Sequence, residues 1–310
     1  MQPSTQPNFA AEQGRKRSRV RPELFPYWLI APSVLLILLI MVFPIGKVFS
    51  LSLQHYSFTR MYANGFAGLD NFKQIFTDDP LFYSSLFITV KWVVAEVALQ
   101  LIFGLAAALL LNRAFKGRGL VRALVLIPWA VSGVLTTMLW SLMYNQHIGL
   151  INKLLMQLGI LQEEIAWLAN TGTVFGSVVV AELWRGIPFF AITMLAALQS
   201  IPKDVYESCE VDGCTSVKKL IYITLPYLKE SIIFATLLRA IWEFNSIDMI
   251  FTMTNGGPMD LTTTLPIYMF KMSILEGDYG YGSALGVITF LMLLAFSIFY
   301  LRLNPEEESR

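Results

Sequence analysis

The run LLRAIWEFNSIDMIFT, residues 237–252, places ionisable and amide side chains inside an apolar stretch. Arg239 and Glu243 stand four apart, the spacing at which two side chains meet on a helix and can neutralise each other. At 100° per residue, Asn245, Asp248 and Thr252 fall on one face, nearly opposite Arg239, Glu243 and Ser246. Asn245 and Asp248 supply planar hydrogen-bonding groups, and Trp242 on their flank supplies a ring. That combination suits a path for a polyol, whose hydroxyls need the first and whose C–H faces need the second. It equally suits a polar contact between helices. A second group, Glu182, Trp184 and Arg185, has the same dual character. Glu182 and Arg185 are three apart and can pair, while Trp184 and Arg185 could face a cavity. Glu96 and Gln100 share one face of another apolar stretch, with Lys91 nearer its outer end, and read as polar glue between helices.

Other reactive residue types form no constellation. Cys209 and Cys214 offer neither a disulfide framework nor a repeated CxxC spacing and read as small packing residues, with no His beside them to complete a metal site. His55 and His147 fall in polar connections and read as surface residues. No nucleophile–base pair stands out. The phosphate-binding pattern GxxxxGK[ST] is absent, and the Gly46-Lys47 pair lies at the end of an apolar run, so the chain carries no recognisable means of hydrolysing ATP. No cofactor or metal is expected on it.

These residues need long apolar elements to hold them. The 310 residues are 55% apolar and 15% charged, with a mean hydropathy of +0.57, well to the membrane side of soluble composition. A hydrocarbon core of about 30 Å takes roughly 20 helical residues. Six stretches qualify, at about 27–50, 84–111, 120–144, 174–199, 229–253 and 281–303. Pro32, Pro44, Pro128 and Pro188 interrupt them, which bundled helices tolerate. The basic residues alternate between the connections. The tail (Arg15, Lys16, Arg17, Arg19, Arg21), residues 113–122, residues 203–229 and the C-terminus carry fifteen, while the opposite connections carry Arg60, Lys73, Lys153 and Lys271. That bias predicts both termini in the cytoplasm. The first apolar run follows the basic tail without a small-x-small cleavage site and reads as a retained span. Residues 1–22 read as a disordered cytoplasmic tail and 23–310 as one membrane domain. The outer connections, with GLDNF, WLANTG and NGGP, read as structured caps.

One cytoplasmic connection stands apart: YESCEVDGCTSVKKLIYITLPYL, residues 206–228. Residues 203–211 can form a helix starting just after Pro202, Gly213 breaks it, and 215–222 can form a second with Thr215 as N-cap. Pro226 is expected to end the unit. Two short helices set at an angle can protrude toward a partner. An amphipathic helix in the headgroup layer is the alternative, but the acids Asp204, Glu207, Glu210 and Asp212 favour a protein over anionic lipid.

Glu207-Ser208-Cys209, Asp212-Gly213-Cys214 and Ile223-Thr224-Leu225-Pro226 resemble the EAA loop of permease subunits of ABC importers. The six-residue step from Glu207 to Gly213 and the ten-residue step on to Ile223 fit that pattern. Ser208 and Cys209 replace its two alanines, Cys214 replaces a small residue, and Glu230 stands where a proline is expected. AALQSIP (196–202), TNGGP (254–258), YGYGSALGVITF (279–290) and GLDNF (68–72) resemble the carbohydrate class, which includes the first permease of maltose-type and glycerol-phosphate-type importers. The resemblance implies an all-α membrane protein with six transmembrane helices, the type I importer transmembrane domain, carrying a cytoplasmic coupling helix within 203–226. It implies half of a sugar translocation path in the bacterial inner membrane, working with a second permease, two copies of an ABC ATPase that hold ATP and Mg, and an external solute-binding protein. Glu207, Asp212, Gly213, Ile223, Leu225 and Pro226 would couple to the ATPase. Trp184, Arg185, Trp242, Asn245 and Asp248 are the candidates for the substrate path. A transporter powered by an ion gradient through Asp248, Glu96 or Glu182 is the competing expectation.

Overall fold

The computed structural model describes residues 25–303, so the tail expectations for 1–22 and the C-terminus lie outside the described residues. The chain divides into two compact units, residues 1–47 and 48–310. In the first, α1 (Phe25–Ile37) runs through a π turn at Leu38–Val42 into α2 (Phe43–Ser52), which ends in the second unit. Pro44 does not break this helix. The Phe43 N–H bonds to the Leu38 carbonyl five residues back, shifting the ladder just ahead of the proline that cannot donate.

The second unit continues with a two-residue antiparallel hairpin, β1 (Gln54–His55) and β2 (Gly65–Phe66), and the short α3 (Asp70–Thr77). The long α4 (Pro80–Asn112) starts where Asp79 caps it, its Oδ1 accepting from the Leu81 and Phe82 amides at 2.9 and 3.2 Å with Pro80 in the first turn. Its buried residues, Ser85, Thr89, Trp92, Glu96, Gln100, Gly104, Ala108 and Leu111, recur every three or four positions and so form one stripe. α5 (Arg118–Ala130), α6 (Gly133–Met143), α7 (Leu150–Gln157) and α8 (Val174–Gln199) follow. The α4 stripe meets α8, and small residues set their approach. A Cβ on Gly186 would lie 2.2 Å from the Gln100 Cδ, and one on Gly104 would lie 2.3 Å from the Phe190 Cβ.

α9 (Lys203–Val211) and α10 (Ser216–Lys219) form the polar connection, followed by a π turn at Leu220–Thr224, α11 (Leu225–Phe244) and α12 (Asp248–Thr254). α13 (Leu265–Phe270) with a π turn at Lys271–Leu275 leads to α14 (Tyr279–Leu303). Three apolar clusters hold the unit together. One gathers Trp92, Tyr144, Val178, Met249 and Ile250, and a second Leu111, Phe190, Leu198, Ile201 and Leu228. The third gathers Ile75, Phe82, Leu265, Tyr281 and Leu285.

Five helices of the described residues are long and apolar enough to cross a membrane, or six if the bent pair α5–α6 is one span. The fourth stretch matches α8 residue for residue, and the rest agree in existence. Three expectations need correction. The third span is not merely kinked at Pro128: α5 and α6 meet at 93°, with the break at Val131 and Ser132. Pro226 does not end the polar unit. Leu225 N–H bonds Leu220 O across the π turn, so helix continues from α10 through Pro226 into α11. The fifth stretch is not one helix through 253 but stops at Phe244 and restarts at Asp248.

Candidate functional site

The polar side chains of α4, α8 and α11 converge in one buried network. Arg239 of α11 is its centre: Nη2 lies 2.6 Å from Glu243 Oε1 and 3.1 Å from Glu182 Oε1, and Nε donates to Gln100 Oε1 at 2.6 Å. Gln100 in turn donates to Glu96 Oε2 at 2.8 Å and Glu243 Oε1 at 3.1 Å, while the Trp92 indole N–H donates to Glu243 Oε2 at 3.2 Å. Glu182 also receives Arg185, through Nη2 at 2.9 Å and Nε at 3.0 Å. The pairs Arg239–Glu243, Glu182–Arg185 and Glu96–Gln100 read from spacing are all present. Sequence reasoning missed the bonds between helices that join them, because helical spacing reveals only neighbours on one helix. Buried charges need such partners, since removing them from water is costly.

Of the path candidates, Arg185 reaches furthest from this network toward the broken third span. Its Nη1 would lie 3.1 Å from a Cβ placed on Gly133 in the first turn of α6, and its side chain remains 25% exposed. Next to it in sequence, the half-exposed Trp184 stacks edge-on with Trp140 of α6 at 6.1 Å. Trp140 continues to Tyr144 at 5.5 Å and Tyr144 to Trp167 at 6.1 Å, a ladder of rings absent from the sequence reading. The exposed Trp242 packs on Phe189 of α8 at 5.3 Å. Asn245 and Asp248 do not share a continuous helix face, because the helix is interrupted between them. Asn245 turns back to donate to the Ile241 carbonyl at 2.8 Å, and Asp248 opens the first turn of α12 with its side chain exposed. The Asn245 side chain, by bonding the Ile241 carbonyl, competes with the helix ladder at a break that has neither Pro nor Gly.

The polar connection has the helix–glycine–helix arrangement expected. α9 ends at Val211, Gly213 turns at φ +74°, and the Thr215 hydroxyl accepts from the Lys218 amide to start α10. Tyr206 is half-buried against the apolar cluster around Leu198, Ile201 and Leu228, and its hydroxyl meets Thr224 Oγ1 at 3.1 Å. Glu210 pairs with Lys219 across the bend. Glu207, Asp212 and Pro226 are exposed, while Ile223 and Leu225 are half-buried at the foot of α11. Cys209 and Cys214 correct the expectation of unpaired packing residues: they form a disulfide. The left-handed Gly213 folds the chain back so that the Cys214 amide bonds the Cys209 carbonyl at 2.9 Å and the two Cα atoms stand 5.3 Å apart, within disulfide range.

The connections around α3, α13 and α14 are also built from side-chain bonds. Asp79 Oδ2 accepts the hydroxyls of Tyr268 at 2.7 Å and Tyr281 at 2.6 Å, so one carboxylate caps α4 and anchors α13 and α14. In GLDNF, Asn71 is buried and donates to the Ser52 and Gln54 carbonyls. After NGGP, Lys271 Nζ lies 3.1 Å from Asp260 Oδ1, and the Thr263 hydroxyl donates to the same oxygen at 2.7 Å. Partial burial alone would raise the Asp260 pKa; the hydrogen bonds from Thr263 and Lys271, with the Lys271 charge, outweigh it and hold the carboxyl below its ordinary value. His55 and His147 are exposed as expected, and His147 Nδ1 meets Glu164 at 2.8 Å.

Residues 100–308 match the family described as binding-protein-dependent transport system inner membrane component. The chain is 38% identical to the trehalose/maltose transport system permease protein of Thermococcus litoralis over 90% of its own length and 92% of the relative's. It is 34% identical to the sulfoquinovosyl glycerol transport system permease protein of Agrobacterium fabrum, over 89% of this chain and 88% of that one. Among solved structures it is similar in fold to a chain of a bacterial alginate ABC transporter in complex with an alginate pentasaccharide-bound periplasmic protein. There the TM-score is 0.78 at 20% identity, covering 92% of this chain and 96% of that one.

Proposed function

This chain belongs to the family of binding-protein-dependent transport system inner membrane components, and from that membership we propose that it couples ATP hydrolysis on a separate subunit to sugar passage through the loop at 203–226. It is a multi-pass inner-membrane permease subunit of a sugar ABC importer with the type I permease fold, not an ion-gradient transporter. The finer assignments are ours. The partners are a second permease, two ATPase copies holding ATP and Mg, and an external solute-binding protein. Both termini and the 203–226 loop face the cytoplasm. The observation that carries the coupling role is the loop's construction: exposed Glu207 and Asp212 on an angled unit whose far end is continuous with α11. Glu207 would accept charge-assisted hydrogen bonds from the ATPase, Asp212 and Gly213 would form the bend, and Ile223, Leu225 and Pro226 would fasten it to the helix.

The relatives named above carry trehalose, maltose and sulfoquinovosyl glycerol in their names, and a more distant one, from Streptomyces coelicolor, is a diacetylchitobiose uptake permease. We assign a glycoside of about disaccharide size to this importer. Arg185, Trp184, Trp242, Asn245 and Asp248 are its path residues: exposed or half-exposed, pairing rings with hydrogen-bonding groups on α8, α11 and α12. The test is uptake of these four compounds by the complete complex in proteoliposomes, with ATP hydrolysis followed in parallel. A Gly213→Val chain should lose about tenfold or more of the stimulated uptake, because a β-branched residue resists φ +74°. Uptake by this chain without any ATPase, abolished by a protonophore, would overturn the reading.

A further inference from the structure

The bend at 212–215 is spanned by a covalent bond, and the alternatives to it are few. Gly213 is the turning residue, and no atom lies within 4 Å of where its Cβ would be, so packing at that point does not set the angle. Two side-chain ties cross the bend non-covalently, Tyr206–Thr224 and Glu210–Lys219, beside the backbone bond from Cys214 to Cys209. The third tie is the Cys209–Cys214 disulfide, which joins the last turn of α9 to the residue ahead of the Thr215 cap. Cys209 is 7% exposed, but Cys214 is only half-buried and Val211, Asp212 and Gly213 around it are exposed, so Cys214 is the more accessible of the two.

We propose that Cys209–Cys214 is a reversible thiol–disulfide site that sets how stiffly the angled loop passes motion to α11. This rests on the coupling role given to the loop above. In a compartment kept reduced by thiols, a disulfide open to solvent undergoes exchange. A dithiol reductant supplies the chemistry. One of its thiolates attacks Cys214 Sγ, the S–S bond breaks, and Cys209 leaves as a thiolate that takes a proton. The reductant's second thiol, once deprotonated, then displaces Cys214 from the mixed disulfide, and Cys214 is protonated in turn. Two thiols remain on the loop, the reductant ends as a disulfide, and two electrons and two protons have moved. A disulfide oxidant runs the same steps backward. Oxidised, the loop is pinned across its bend and transmits displacement as a rigid unit. Reduced, it turns at Gly213 against hydrogen bonds and one ion pair alone, and part of the displacement is absorbed in the bend.

The full chain in the assembled complex, in lipid nanodiscs, is treated with dithiothreitol and then with oxidised glutathione, and alkylation followed by mass measurement reports the bond. Amide exchange over 203–226 should rise about tenfold on reduction and return on reoxidation. A Cys209→Ala/Cys214→Ala chain should exchange at the fast rate under both conditions. In proteoliposomes, ATP-driven uptake of maltose and trehalose should fall about threefold on reduction, with hydrolysis less affected. Exchange or uptake that stays constant while both thiols are shown free overturns the proposal. So does finding both thiols free in membranes isolated under alkylating block and no bond re-formed by oxidised glutathione. A complex that imports neither sugar in either state, yet whose exchange over 203–226 follows the bond, overturns the reading under Proposed function and leaves the redox site standing.

Discussion

Arg239 shows how much one side chain can carry inside a membrane. Its guanidinium satisfies Glu182, Glu243 and Gln100 at once, and its side chain is 7% exposed. Arg239→Met should cost about 3–5 kcal/mol, because it strands buried carboxylates rather than merely deleting a bond. Thermal unfolding of the full chain in detergent reads this, and Arg239→Met/Glu243→Gln should recover part of the loss, since the two residues are not independent. An unshifted melting temperature in Arg239→Met would show the network to be dispensable. In the connection between α12 and α13, Asp260 behaves differently. Its folded pKa is depressed, so the stability it contributes is present above its ordinary value of 3.8 and is lost as pH falls through the lower folded value. Melting temperatures from pH 5 down to 3 should therefore fall less steeply in Lys271→Met than in the parent chain. The same-helix pairs were legible from spacing alone. Arg239–Glu182 and Trp92–Glu243, 57 and 151 residues apart, were not, because nothing in one sequence says which helix faces which.

At the scale of elements, the α4–α8 pair is set by what is absent. Gly186 leaves room for Gln100, whose amide is held by Glu96, Glu243 and Arg239 and so cannot swing aside freely. Gly186→Ala should destabilise by about 1–3 kcal/mol, measured by the same unfolding assay, whereas Gly176→Ala on α8, where a Cβ meets no atom within 4 Å, should be near neutral. The extent of α8 was legible because its apolar stretch is bounded by polar and turn residues, Asn170 to Thr173 before it and Ser200 and Pro202 after it. The breaks were less so. Pro128 drew attention to the third span, yet the 93° turn falls three residues later, and the fifth breaks at Asn245–Ile247 without either of the usual breakers. The π turns that carry helix past Pro44 and Pro226 have no composition of their own, so Pro226 looked like a stop. The disulfide was hidden for a related reason: five residues of separation say nothing about a pairing that depends on the φ of Gly213.

For the whole molecule, the distribution of basic residues orients everything else. With fifteen on one set of connections and four on the other, the proposed topology puts the 203–226 loop on the cytoplasmic side and α7 with WLANTG on the opposite side. In the Cys209→Ala/Cys214→Ala background, a single cysteine at Glu164 should label with a membrane-impermeant maleimide in intact cells. One at Val217 should label only in inverted vesicles; the reverse pattern would invert the topology and, with it, the coupling role.

The continuity of helix through Pro226 gives the molecule the mechanics of a lever. From Ser216 to Phe244 the helix spans 29 residues, roughly 43 Å at 1.5 Å per residue. Its fulcrum is Arg239, the point where it is bolted to both α4 and α8. About 30 Å of rod lie between Lys219 and that pivot, and about 8 Å beyond it, up to the break that Trp242 and Asn245 flank. Under the coupling proposed above, displacement at the loop would arrive at the break reduced about fourfold and with its force multiplied in the same ratio. In that role the long arm would lie toward the ATPase and the short arm beside the candidate path residues, which suits a gate that must part close-packed side chains by a small distance.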